Sequence, residues 1–204
     1  MSEIGLFPLE LVLLPGERVP LHIFEDRYRD LVGECLAGGI EFGLILENED
    51  GLREVGTSTA VVELIDSFED GRMNVLVEGR GRFRVIELTE GRSFQTAEVE
   101  ALEDDGEAPS RDEVKGALAA FRRLVAVAEA DEIEEPRAGS PDLSFKLAAR
   151  VDFSHELKQE LLELRSERRR LRRLSELLER AVEALARERE VRTRAAGNGK
   201  VSPE

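Results

Sequence analysis

The sequence predicts an α+β protein, a small β-barrel lobe carrying one helix over residues 1–103 followed by an all-helical lobe over residues 114–194. Three observations carry this reading. The first hundred residues hold several short β-branched, alternating runs separated by Gly-containing turns. Residues 104–113 are acidic and hold no apolar residue larger than Ala. Beyond them the apolar residues recur at helical spacing, with Leu118, Phe121, Leu124 and Val125 on one face.

The elements follow in order. Phe7–Leu14 reads as an apolar strand, stopped by Pro15-Gly16, because proline fixes φ and glycine tolerates positive φ. Val19–Phe24 alternates, with Val19, Leu21 and Ile23 on one side and Pro20, His22 and Phe24 on the other. Glu25–Ala37 is a helix whose apolar stripe is Tyr28, Leu31, Val32, Cys35 and Leu36, and Gly38-Gly39 ends it. Strands follow at Phe42–Leu46 and Thr57–Ile65, and Asp70-Gly71 marks a tight turn into a strand through Met73, Val75 and Val77. The chain bends at Glu78-Gly79-Arg80-Gly81, resumes at Phe83, Val85 and Ile86, breaks at Gly91 and ends the set with Phe94–Val99. Ser110 or Asp112 caps a helix over Val114–Ala130, Asp142 or Ser144 starts a short one to Val151, and Ser154 caps another. A long helix runs over Ser166–Arg192, and the small, polar residues 195–204 are expected to be disordered.

Composition excludes several function classes. The formal charge of −15 repels nucleic-acid phosphate and anionic lipid. No apolar run approaches the ~20 residues that span a bilayer, and Glu3 and Glu10 lie where a signal peptide needs basic residues, so a cytoplasmic protein is expected. The single cysteine, Cys35, forbids an internal disulfide and a Cys-based zinc site, and its place on the helix stripe makes it a core residue. Of the lysines Lys115, Lys146, Lys158 and Lys200, only Lys200 follows a glycine, and Val201 stands where a phosphate loop needs a hydroxyl. His22 and His155 fall in different lobes without metal-ligand spacing, and both are expected at the surface. The acid pairs Asp104-Asp105 and Glu134-Glu135 lie in loops expected to leave them solvated. No catalytic residue, cofactor site or metal site is expected.

The segment Phe7–Arg29 resembles the opening of the Lon protease N-terminal domain family, F-P-L-x5-P-G-x3-P-L-x-I-F-E-x-R-Y-R. The matching residues are Phe7, Pro8, Leu9, Pro15, Gly16, Pro20, Leu21, Ile23, Phe24, Glu25, Arg27, Tyr28 and Arg29. A second family signature, E-G-x-x-R-F-x-I/V, is matched by Glu78, Gly79, Arg82, Phe83 and Val85, and Val55-Gly56-Thr57 resembles the family's V-G-T strand entry. Leu157–Leu164, LKQELLEL, is similar to the family's K-Q-x-L-L-E segment, although the RSERRRLRRL that follows holds more arginines than the family usually carries. The resemblance spans about residues 4–187. It implies a PUA-like β-barrel with a helical lobe, here as a stand-alone member without the ATPase and the Ser-Lys peptidase of the full proteases. In those proteases the domain helps to capture unfolded or tagged polypeptides, and a related domain in cereblon acts within a substrate receptor. The implied function is non-catalytic binding of flexible polypeptide segments, as an adaptor or holding factor in protein quality control, with a separate protease or chaperone as partner.

Phe24, Asp26, Arg27 and Tyr28 are the candidate polypeptide-binding residues. Tyr28 offers a flat apolar face with a polar tip, and the two arginines of Arg27-Tyr28-Arg29 cannot both face a core. A structural alternative is that Tyr28 packs inward while Arg29 pairs with Glu25 or Asp26 at helical spacing. Leu157, Leu164, Leu171, Leu178 and Leu185, spaced by seven, raise three readings: packing within the helical lobe, a helix-mediated homodimer, and a zipper with Arg165–Arg173 as a DNA-binding arm. The charged companions Glu160, Glu167 and Glu188 break the seam, and a gripping arm should precede the repeat rather than lie within it. Two alternatives to polypeptide binding stay open at this point. PUA-like barrels also bind RNA, and a concave pocket with converging polar groups would serve as a small-molecule sensor.

Overall fold

Among the described residues, the apolar patterning of the first half builds seven strands and one helix, and the stripes of the second half build four helices. In order these are β1 (Ser2–Leu9), β2 (Arg18–Ile23), α1 (Asp26–Gly38), β3 (Phe42–Asn48), β4 (Gly51–Leu52), β5 (Val55–Ser67), β6 (Met73–Thr89), β7 (Thr96–Ala101), α2 (Arg111–Ala128), α3 (Leu143–Ala148), α4 (His155–Glu163) and α5 (Glu167–Asn198). The computed structural model describes residues 1–106, 108–130 and 132–198.

The expected barrel takes the form of a ring. The strands run β1-β7-β6-β5-β3, and β1 closes the circuit by pairing in parallel with β3, Leu6–Leu9 against Gly43–Leu46. β6 is long enough to serve two neighbourhoods. Its first half pairs with β2, Arg18–Ile23 against Met73–Glu78, and its second half pairs with β7. β2 therefore lies outside the ring, bonded along one edge only. α1 lays Tyr28, Leu31, Val32 and Cys35 over Phe7, Ile23, Phe42, Val75 and Val77.

The residues that carry the family resemblance form one clasp. Gly16, at φ +79°, turns the chain so that its N–H donates to the Gly79 carbonyl at 2.8 Å, and the Gly79 N–H donates to the Glu17 carbonyl at 3.0 Å. A Cβ at Gly79 would lie 2.4 Å from the Leu14 carbonyl oxygen, so the turn and the β6 bend fit only without a side chain there. The bend is a bulge in a continuous strand. Thr57 and Thr59 pair with Arg82 and Gly79, and Ser58 Oγ accepts from the Gly81 N–H at 3.1 Å. Phe83 fills the ring, and its aromatic edge lies where a Cβ at Gly56 or Gly43 would stand.

The two expected strands on either side of Gly79-Gly81 are thus one. A second correction concerns Phe7–Leu14. The strand begins at Ser2 and ends at Leu9, while Leu11–Leu14 run irregularly through the interior. Leu13 packs on the α1 side, and Val12 and Leu14 join the core of the helical half. A buried crossing is as apolar as a buried strand, and periodicity does not separate them.

Helix starts follow their caps. Ser110 and Glu113 form a reciprocal capping box on α2, and Ser154 Oγ accepts from the Leu157 N–H on α4. α2 and α5 run side by side in the same direction, since Glu113 pairs with Arg168 and Arg172, Arg123 with Glu179, and Glu129 with Arg189. The spacing of leucines by seven crosses the break between α4 and α5, and these leucines pack into one core with α2 and α3. α5 continues through Asn198, past the start of the expected disordered tail, whose residues 199–204 lie outside the described residues.

Two outcomes follow from this packing. Gly79→Ala drives a methyl into backbone and should lower stability by about 1–3 kcal/mol in urea denaturation. Cys35 is buried, which pushes its thiol up to about 11 with help from the Glu34 charge, so a thiol reagent should label it only on unfolding.

Candidate functional site

Two places gather polar side chains: the junction of the strand and helical halves, and a groove beside β2. At the junction, Arg170 is 0% exposed. Its Nη1 and Nη2 both donate to the Asp104 carboxylate at 2.6 Å, Nη1 also to the Leu164 carbonyl at 2.7 Å, and Nε to Ser144 Oγ at 3.0 Å. Arg82, the arginine of the second signature, donates to the carbonyls of Leu162 at 2.7 Å and Leu164 at 2.8 Å, and to Asp104 at 2.5 Å. These carbonyls end α4, where helical partners run out. Both guanidiniums lie against the Phe145 ring, at 4.3 Å for Arg170 and 5.4 Å for Arg82.

Asp104 stays partly exposed, as the linker composition suggested, yet it is clamped between two cations. Sequence gave no sign of this because its partners lie 22 and 66 residues away. Burial alone would raise its carboxyl; the hydrogen bonds and charges of Arg170 and Arg82 outweigh that and hold it below its ordinary 3.8. Oxygens of Asp104, Asp142 and Glu167 come within 4.8 Å of one another, the geometry of a cation site. Arg82 and Arg170 already supply the positive charge on Asp104, and Glu167 is committed to Arg170 and to the N–H and hydroxyl of Ser144. The chemistry here is a structural ion-pair network.

Most arginines of the run Arg165–Arg173 are ion-paired as well. Arg165 pairs with Asp105, Arg168 and Arg172 with Glu113, Arg170 with Asp104 and Glu167, and Arg173 with Glu160 and Glu176. A phosphate backbone would have to compete with carboxylates already in place.

The groove is a cavity of about 320 Å³ between the end of β1 and β2. Phe7, Pro8 and Leu9 form one wall, Pro20–Phe24 the other, and Arg27, Tyr28 and Glu47 the rest of its lining with Glu25. Of the four candidate residues, the structure brings Phe24, Arg27 and Tyr28 to this groove. Phe24 is 60% exposed and stacks on His22 at 5.9 Å. Tyr28 is buried, its ring stacked on Phe7 at 3.9 Å, with Arg27 over its face at 4.4 Å. Burial raises the Tyr28 phenol, Arg27 opposes this, and Glu25 and Glu47 add to it. Asp26 is not part of the lining; it pairs with Arg29, which also donates to the Asp70 carbonyl at 2.5 Å and ties α1 to the β5–β6 turn. The structural alternative therefore holds for Tyr28 and Arg29. Phe7, Pro8, Leu9 and Glu47 were not singled out, since only the parallel closure of β1 on β3 brings them beside β2.

Comparison with known proteins gives this architecture a family. The model of the ATP-dependent protease La (LON) substrate-binding domain matches residues 3–180. The chain belongs to this family. The Lon protease of Anaeromyxobacter dehalogenans is 29% identical over 191 residues, covering 85% of this chain and 22% of that protein. The Lon protease of Paraburkholderia phytofirmans is 27% identical over 202 residues, covering 88% and 24%. The chain thus spans about a quarter of the length of these proteases. Among solved structures, the Lon N-terminal domain protein from Xanthomonas campestris superposes with a TM-score of 0.66 at 28% identity, covering 85% of this chain and 97% of that one. The N-terminal domain of the Mycobacterium avium complex Lon protease shares the fold at a TM-score of 0.67 and 21% identity, covering 87% and 98%. No helix among the described residues is long and apolar enough to cross a membrane.

The clamp predicts an acid response. Asp104 titrates below 3.8, and Glu113 is held at about 2, first by the Ser110 N–H and then by Arg168. Both carboxyls are depressed in the folded state, so their contribution is complete above about pH 4.5 and is lost as pH falls through the folded values. Urea midpoints should therefore decline below that pH, and less steeply in Glu113→Gln. Arg170→Ala leaves Asp104 with Arg82 alone and takes the donors from Ser144 Oγ and the Leu164 carbonyl, and should cost about 1–3 kcal/mol at neutral pH.

Proposed function

We propose that this chain binds flexible polypeptide segments in the groove between β1 and β2, without catalysing a reaction on them. The observation that carries the reading is the combination of an apolar trough with an unpaired strand edge. Among the described residues β2 bonds to β6 alone, which leaves its other edge to take an extended chain by strand addition, and Pro20 lies within it. Pro20 lacks an N–H, and the Gly79-to-Glu17 bond starts the β6 ladder at an odd-numbered residue. Alternation along an antiparallel ladder then turns the backbone groups of Arg18, Pro20 and His22 away from β6. Phe24, Pro20, Pro8 and Leu9 supply the accessible apolar surface for the side chains of such a segment, over a floor of buried Phe7, Leu21 and Ile23.

Membership in a family described as substrate-binding supports the same reading. In this view the chain acts as an adaptor or holding factor in protein quality control and hands its segments to a separate protease or chaperone. The ion-paired α5 arginines weigh against the nucleic-acid alternative.

Fluorescence anisotropy with short dye-labelled peptides of apolar core tests the proposal. Phe24→Ala should weaken binding at least fivefold, the scale of a truncated aromatic contact, while Asp26→Asn should leave it unchanged. Equal affinity for wild type and Phe24→Ala would remove the groove as the binding place.

A further inference from the structure

Resting on the polypeptide reading, we infer that the groove selects segments whose apolar anchor is flanked by lysine or arginine, with Glu47 receiving the cation. Five groups in its lining carry or can carry charge: His22, Glu25, Arg27, Glu47 and Tyr28, whose raised phenol keeps it neutral. Arg27 Nε donates to Glu25 at 3.0 Å, so those two charges cancel within the groove. His22 Nδ1 is bonded to Asn74 Oδ1 at 2.7 Å, and Asn74 donates in turn to Asp66, so this ring faces a chain of acceptors beside the groove. Glu47 remains. It is exposed at the end of β3, and among the described residues it makes no ion pair. Its charge reaches the groove, since it contributes to raising the Tyr28 phenol.

An apolar trough with one uncompensated carboxylate at its lip discriminates by sign. A basic flank gains a charge pair with Glu47 at the rim, whereas an acidic flank meets a like charge there. The net charge of −15 works in the same direction at long range and attracts cationic segments to the protein as a whole. Extended chains place alternate side chains on one face, so an apolar residue seated against Phe24 and a basic residue close by in sequence occupy the trough and its lip together.

The test uses the full chain and three dye-labelled peptides with one apolar core and flanks of Lys, Ser or Glu. At low salt the Lys-flanked peptide should bind about fivefold more tightly than the Ser-flanked one, the scale of an exposed to half-buried charge pair, and the Glu-flanked peptide more weakly still. Glu47→Gln should remove most of the Lys preference and Glu47→Lys should reverse it. Glu188→Lys makes the same change in net charge on α5 and should leave the preference in place. Equal binding of all three peptides would overturn the inference and leave the polypeptide reading standing. So would a Lys preference that falls equally in Glu47→Lys and Glu188→Lys, since it would then belong to the whole surface. Binding of none of the three would overturn the polypeptide reading, and this inference with it.

Discussion

The fold depends on two buried arginines held by one aspartate. Arg170 from α5 and Arg82 from β6 converge on Asp104, which lies between the strand half and the helical half, and all three bridge what would otherwise be separate layers. Such a network adds little over a well-packed apolar joint, but breaking one member leaves a buried charge uncompensated. Its value is therefore positional. It fixes where α4 ends and α5 begins, since Arg82 takes the carbonyls that close α4 and Arg170 takes one of the same carbonyls from the other side. Around it Val12, Leu14, Val55 and Leu102 of the strand half share one core with Phe121, Leu147, Leu162, Leu171 and Leu178 of the helices.

That rigid joint sets the groove apart. The helices cover one side of the strand system and leave the outer edge of β2 without a partner strand. An uncovered edge with Phe24 beside it would ordinarily invite self-association. Here Pro8 and Pro20 interrupt the runs of backbone donors on both walls, and Glu47 sets one uncompensated carboxylate at the opening. The same features that discourage a second copy of an acidic protein are compatible with a cationic extended segment.

Much of this architecture was legible in the sequence. Alternation located β2, β5 and the start of β6, the short run Phe42–Leu46 located β3, and Ser110 and Ser154 marked helix starts because capping is a local interaction. The family motifs gave the fold, and the structure shows what each does: Gly79 admits the Leu14 carbonyl, Phe83 occupies the space left by Gly56, and Arg82 seals α4. What was hidden is long-range. The irregular course of Leu11–Leu14 is a response to two cores on either side of it, and no periodicity encodes that. Asp104 looked like one acid among many in a polar stretch, and its two partners come from distant elements. For the groove, the segment 24–28 was readable as exposed aromatic and charged residues, but its opposite wall came from β1 through ring closure.

Ring closure also dictates an order of assembly. β1 must bond to β3 on one side and to β7 on the other, so the opening residues of the chain wait for residues 96–99 before both edges are occupied. The clamp adds a later requirement, because Arg170 is made 66 residues after Asp104. During translation, then, β1 leaves the ribosome well before β7 exists, and the apolar stretch through Leu14 stays without its permanent neighbours until the helices that pack on it have been made. A protein with an open apolar trough of its own passes through a stage in which it resembles the unfolded chains such a trough would hold.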